Sequence, residues 1–224
     1  MFLLAVAALV FLVVHLAVPG SRLRAVLVEA LGKAGYMAAY SAASLATLVW
    51  LIIAYKSAAY VFIWGMLGWW RPIMVAAMAP LFVLFAAGAM ARHGAIPEGG
   101  GVPPVKGVHR ITRHPMLVAV TLWAVVHMVG NGDLASQILF GSLAAMSVGG
   151  MVSMDRRKRA DMGESAWKTF ARRSPAVPFT AQVRGQGGID LGEIGWQPVA
   201  VGLAAYAATL ALHGPVIGIY PLVG

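Results

Sequence analysis

Three histidines and two arginines concentrate the chemistry this chain can offer. In the stretch from Gly107 to Asp133, GVHRITRHPMLVAVTLWAVVHMVGNGD, Arg110, Arg113 and His114 stand just before Pro115, and His127 lies deep in the apolar run that follows. Imidazole serves as acid, base or metal ligand near neutral pH. Its cost inside lipid makes an intramembrane histidine a marker of function. Guanidinium groups suit bidentate contact with carboxylate or phosphate. Pro115 sits where a helix accepts a residue without an N–H, so the Arg-His-Pro cluster reads as the mouth of a helix.

His15, in Val13-Val14-His15-Leu16, lies four residues before Pro19, about 6 Å inside a membrane boundary at 1.5 Å per residue. A histidine there either hydrogen-bonds a neighbouring helix or ligates a metal. The same two readings hold for His127, 12 residues past Pro115 and one turn after Trp123, at a depth of about 18 Å. His114 and His127, 13 residues apart, fall on nearly opposite helix faces and about 20 Å from each other, so they cannot share one metal. A paired site needs another helix, and His15 is the other histidine expected in the apolar core. His93, His109 and His213 read as solvated or interfacial. The chain has no cysteine, which removes disulfides and thiolate chemistry and leaves His, Met or carboxylate as protein ligands for any metal.

The elements that position these residues follow from composition. With 60% hydrophobic residues, 11% charged residues and a mean hydropathy of +0.78, the 224-residue chain has too little polar surface to cover a soluble globule. It reads as an all-α, polytopic integral membrane bundle in contact with the lipid bilayer. A hydrocarbon core of about 30 Å needs about 20 apolar residues per crossing. Six stretches are candidates: Met1–Val18, Tyr36–Tyr55, Ile73–Ala91, Met116–Val129, Leu134–Ser153 and Trp196–His213. The first lacks the basic leading region of a signal peptide and is read as a retained helix.

The net charge of +9 is a topology signal. Fifteen of the seventeen lysines and arginines fall in the first, third and fifth connections, leaving Lys56 and Arg71 on the other side. By the positive-inside rule the basic loops are cytoplasmic and both termini lie outside. Arg156-Arg157-Lys158-Arg159 is then a topology and anionic-lipid anchor, and no nucleic-acid partner is expected. Gly130-Asn131-Gly132-Asp133 reads as a tight turn with Asp133 capping the next helix, making a helical hairpin with no other role. The cytoplasmic connections are long: His93 to Thr112 contains PEGGGVPP, with Gly99-Gly100-Gly101 as a hinge, and Asp155 to Gly195 holds most of the charge. Chemistry is expected on that face, where loops can close over a ligand. Asp155 and Glu164 are read as partners of nearby arginines. No P-loop, GxGxxG, HExxH or Gly-x-Ser-x-Gly motif is present.

An ordered set of motifs resembles the NnrU family: His15 with Pro19-Gly20-Ser21 and Leu23-Arg24, Arg113-His114-Pro115, His127 with Asn131-Gly132-Asp133, Asp155-Arg156-Arg157, Gly163, Trp167, Phe170 and Pro178-Phe179. The resemblance implies a single transmembrane domain over 1–224, strongest over 1–185, with a C-terminal helix at 196–213. It also implies a multi-pass protein of the bacterial inner (cytoplasmic) membrane linked to denitrification and nitric oxide metabolism. The family is similar to 15-cis-zeta-carotene isomerase, a haem b enzyme. The resemblance therefore implies haem b on His15 and His127, with redox, sensing or isomerase-like chemistry on nitric oxide or a hydrophobic small molecule. Arg110, Arg113, His114 and Trp123 form the accompanying cofactor-binding set, the two arginines as propionate partners and His114 as a substitute ligand.

Two axial histidines place their Cα atoms roughly 12 to 13 Å apart, given metal–nitrogen bonds near 2 Å. His15 and His127 differ in depth by about 12 Å along the membrane normal. They bracket one iron if the haem lies nearly parallel to the membrane or if the first helix is shifted; by depth alone, His15 and His114 pair more easily. The stretch Gly107-Val108-His109-Arg110 running into Arg113-His114-Pro115, with Asp155, Gly163, Trp167, Phe170 and Pro178, also resembles membrane methyltransferases of the isoprenylcysteine carboxyl and phospholipid type. That implies S-adenosylmethionine bound at the Arg-His-Pro region, although His109, Ala119 and Asp155 depart from the pattern. A third reading is a haem-free accessory protein for a respiratory reductase.

Overall fold

A computed structural model describes residues 1–91 and 101–222. His93 and the Gly99-Gly100 part of the expected hinge lie outside the described residues. Every long element is a helix: α1 (Phe2–Gly20), α2 (Arg22–Lys56), α3 (Trp70–Met90), α4 (Pro115–Gly130), α5 (Leu134–Met162), the short α6 (Glu164–Arg173) and α7 (Thr180–Val183), and α8 (Trp196–Ile217). Five of them, α1, α2, α3, α5 and α8, are long and apolar enough to cross a membrane. The chain is an all-α, multi-pass membrane protein. The sixth expected crossing, α4, has 16 residues and a length of about 24 Å, short of a full hydrocarbon core and within what local bilayer thinning accommodates.

The helices fall into two compact units. The first comprises 1–67 and 124–153. In α1 the buried residues Leu4, Ala7, Ala8 and Phe11 follow the i, i+3, i+4, i+7 rule and form one stripe, and α1 packs on α2. Beyond Leu12 the helix widens into a π turn, Val13–Ala17, before the last turn Val18–Gly20. Ser21 then caps α2, its Oγ accepting from the Leu23 N–H at 3.3 Å. Gly32, at φ 70° and ψ 166°, breaks α2 internally with a backbone that only glycine adopts at little cost.

The expected turn between α4 and α5 is present, with an additional role. Asp133 caps α5 by accepting from Ser136 N at 2.9 Å. The Gly132 carbonyl also accepts the N–H groups of Ile63 and Trp64 at 2.7 and 3.0 Å, and Leu134 N donates to Val61 O at 2.9 Å. Trp64 Nε1 donates to Val129 O at 3.2 Å. The segment after α2 is thus laid over the hairpin tip as an isolated antiparallel bridge. A side chain at Gly132 would put its Cβ 1.7 Å from Trp64 O, so the docking requires glycine.

The second unit comprises 68–123 and 154–224. Helix α3 packs closely on α8: a Cβ on Gly202 would fall 2.5 Å from Val83 Cα, and Tyr206 Oη donates to Val75 O at 3.0 Å. A second close approach sets Gly88 against Pro115 and Met116 at the start of α4. Helix α6 turns Trp167 and Phe170 inward onto Met162, with Val102 and Val105 packed beside them. Its lysine and arginines stay exposed, as expected of an amphipathic segment at an interface.

Candidate functional site

The Arg-His-Pro mouth is a closed polar network. Residues 107–110 form a 3-10 turn that leads through Ile111 and Thr112 to the start of α4. Residues 174–182 run back alongside them. Arg113 N donates to Pro175 O at 2.9 Å and Phe179 N to Ile111 O at 3.1 Å. Thr112 Oγ1 donates to Ala176 O at 2.9 Å, Ser174 Oγ to His109 O at 2.6 Å, and Gln182 Nε2 to Arg110 O at 2.9 Å. These bonds satisfy backbone groups of two irregular strands that have no sheet to join.

Asp155, two residues beyond the expected end of the fifth span, is the hub. Arg113 reaches its carboxylate through both Nε, at 2.8 Å, and Nη2. His114 Nε2 donates to Asp155 Oδ1 at 2.8 Å. A carboxylate oxygen only accepts, so His114 carries its proton on Nε2, and its buried Nδ1 has no hydrogen-bond partner. Arg113 also donates from Nη1 to Ser174 O at 3.1 Å and lies over the Trp167 ring at 5.1 Å. The arginine partner expected for Asp155 is Arg113, and the one for Glu164 is Arg159, at 2.6 Å.

Arg110 is engaged differently. Its Nε and Nη2 grip both oxygens of Glu193 at 2.7 and 2.9 Å, while Gly107 N donates to the same carboxylate at 2.7 Å. The Arg110 hydrogen bonds, followed by the one from Gly107, hold the Glu193 carboxyl down at about 2. The same contact raises the Arg110 guanidinium above its ordinary value. Both arginines of the expected propionate set therefore already hold carboxylates of this chain. A propionate would have to displace Asp155 or Glu193.

His15 and His127 fall together in the first unit, whereas Arg110, Arg113, His114 and Trp123 belong to the second. His15 sits in the π turn of α1 and donates from Nδ1 to Phe11 O at 2.9 Å. That bond fixes the tautomer and leaves the Nε2 lone pair available, the arrangement a metal-ligating histidine uses. The Phe11 ring lies 4.2 Å from the imidazole and the Tyr40 ring 6.4 Å, edge-on. The His127 ring packs on Phe140 at 4.9 Å.

Helix α5 acts as a ruler between the two histidines. Leu16, next to His15, abuts Gly149, and His127 abuts Phe140. Nine residues of helix separate those levels, about 13 Å, so the stagger expected from sequence is present in the fold. Between them run Gly141 to Val148, mostly small residues, and the fully buried Ser147 has a hydroxyl without a hydrogen-bond partner. Among the described residues no three His, Asp or Glu side chains converge as a metal site. A porphyrin needs only one or two protein ligands, because its ring supplies the others.

Sequence reasoning missed Glu193, which lies in a Gly-rich run, GQGGIDLGE, with no periodic or motif signal. It also missed the strained Phe179, at φ 65°, where Pro178 was the local cue for an irregular backbone.

Comparison with known proteins agrees with this architecture. A stretch of 80 residues, 36% of this chain, is 30% identical to the chloroplastic 15-cis-zeta-carotene isomerase of Zea mays and spans 22% of that relative's length. No solved structure matches the chain. The family model described as NnrU protein matches residues 3–221, extending past residue 185, where the motif resemblance thins, and taking in α8. The chain belongs to the NnrU family.

Proposed function

We propose that this NnrU-family membrane protein binds haem b within its first unit through His15. One observation carries the reading: the Nδ1–H of His15 is held by Phe11 O in a π turn, so Nε2 is presented as a ligand. Such turns occur often at functional sites because they re-aim one side chain without ending the helix. Phe11 and Tyr40 flank the imidazole and would border a macrocycle, and His127 is the second axial candidate. With a stagger of about 13 Å along α5, a haem shared by His15 and His127 would lie nearly parallel to the membrane. Haem iron would supply redox change or reversible ligand binding, the chemistry suited to nitric oxide or to isomerising a hydrophobic substrate. The relative named as a carotene isomerase supports a lipophilic substrate. The basic loops support a bacterial cytoplasmic membrane with both termini outside.

The test is the absorption spectrum of the detergent-purified chain. A Soret band that shifts on reduction and is lost in His15→Ala is expected; its absence from a haem-replete preparation refutes the proposal. Loss of the band in His127→Ala identifies the second ligand. If His114→Ala abolishes it instead, His114 replaces His127.

The orphaned Nδ1 of His114 favours a second reading, S-adenosylmethionine at the Arg-His-Pro mouth. It requires saturable binding that is lost in His114→Ala, and a flat titration of lipid-embedded protein removes it. Failure of both tests leaves a haem-free accessory to a respiratory reductase.

A further inference from the structure

An open cavity of about 450 Å³ lies beside the Arg-His-Pro network, between α6 and α7. Trp167 forms one wall, and Lys168, Arg172, Arg184, Thr180 and Gln186 line the rest. No acidic residue lines it. Lys168 is balanced by Glu164 at 3.3 Å, whereas Arg172 and Arg184 lie in no ion pair among the described residues. Two uncompensated guanidiniums with neighbouring hydroxyl and amide groups match a phosphate, whose oxygens accept from all of them.

The surroundings add an apolar requirement. Val177, Phe179 and Val183, on the segment that carries Thr180 and Arg184, are 64%, 51% and 86% exposed. Phe179 is the only non-glycine among the described residues with a positive φ, at 65°. Its N–H is tied to Ile111 O at 3.1 Å, and its carbonyl accepts from Val183 N at 3.1 Å. A strained backbone persists where its surroundings over-determine it, commonly at binding sites. Here the strain accompanies an aromatic ring half out of the protein. Helix α6 follows the membrane helix α5 after a single residue, Gly163, so this segment starts at the end of a membrane-spanning helix.

We infer that the cavity between α6 and α7 binds the headgroup of an anionic phospholipid, with Arg172 and Arg184 holding the phosphate and Val177, Phe179 and Val183 entering the acyl region. A free phosphate would use the cations and leave the apolar prongs in water; an amphiphile uses both. The site is separate from the Arg156–Arg159 run, whose attraction to anionic lipid needs no cavity.

Phosphatidylglycerol, phosphatidylcholine and inorganic phosphate are titrated separately into the delipidated full chain in neutral detergent, with the first bound molecule read by native mass spectrometry. Phosphatidylglycerol is expected to bind at least roughly tenfold tighter than phosphatidylcholine. Arg172→Gln with Arg184→Gln lowers that affinity roughly 30-fold, about fivefold per cation. The charge-matched pair Arg156→Gln with Arg173→Gln, outside the cavity, changes it by less than about threefold. Phe179→Gly, which suits the positive φ, weakens lipid binding without lowering the thermal midpoint. Equal binding of the two lipids, no effect of the cavity pair, or an equal effect of the control pair overturns the inference. Competition by millimolar inorganic phosphate as effective as by lipid reassigns the cavity to free anions and overturns it as well.

Discussion

Replacing Asp155 by Asn keeps the shape of the hub and removes its charge. The carboxylate accepts three hydrogen bonds, two from Arg113 and one from His114. The Arg113 and His114 side chains are 13% and 4% exposed, and that of Asp155 is 21% exposed. Charge-assisted hydrogen bonds contribute about 1.5–3 kcal/mol each. Asparagine retains one acceptor and turns an N–H toward Arg113 or His114, so at least one bond is lost and the others weaken. Arg113 keeps its bond to Ser174 O and its stacking on Trp167, which limits the damage relative to a fully stranded cation, about 3–5 kcal/mol. The expected loss is about 3 kcal/mol. For a chain of this size that lowers the thermal midpoint by roughly 6–12 °C. The assay is helix ellipticity against temperature in one detergent, with wild type and variant compared at a single scan rate. A midpoint within about 1 °C of wild type, near the resolution of such comparisons, would refute the view that Asp155 organises the mouth. The double variant Arg113→Gln with Asp155→Asn should lose less than the sum of its parts, since both changes remove the same bonds.

Two further outcomes follow from glycine packing and from a depressed carboxyl. Gly132→Ala should cost about 2 kcal/mol or more, read as a lower thermal midpoint, because its Cβ would overlap Trp64 O; Gly65→Ala, with nothing within 4 Å, should be neutral. Glu193 is held at about 2, below its ordinary 4.5, so its clasp on Arg110 contributes stability above pH 4.5 and loses it as pH falls toward 2. Pepsin should therefore leave 185–195 intact at pH 4 and cleave it near pH 2, whereas Glu193→Gln is cut at both; equal cleavage of wild type at the two pH values would contradict the clasp.

The six apolar runs found in the sequence are the cores of six helices, because lipid demands that each run satisfy its own backbone. What composition did not reveal was where polar partners prolong a helix. The fifth run ends near Ser153 by hydropathy, yet α5 continues to Met162, its extra turns anchored by Asp155 and by Lys158 over the Phe170 ring. Asp155 and Glu164 were readable as arginine partners, since an acid in a basic segment has few alternatives. Glu193 was not, because its partner Arg110 lies 83 residues away and only the fold brings them together. The turn at Gly130–Asp133 was legible from its residues, but the segment 61–64 that docks on it carries no motif. The stagger of His15 and His127 was legible because helical rise is fixed; the π turn that aims His15 was not, since Val13-Val14-His15-Leu16-Ala17 is apolar like its surroundings.

That π turn has a consequence for how α1 is addressed. Five residues occupy a span in which a regular helix would place about four, so the chain carries one residue in surplus between its packing stripe and Pro19. A regular helix would keep His15 in line with Leu4, Ala8 and Phe11, facing the same neighbour. The surplus residue turns the azimuth of everything after it by about 100°, and the imidazole takes a heading of its own while the Leu4–Phe11 stripe stays seated.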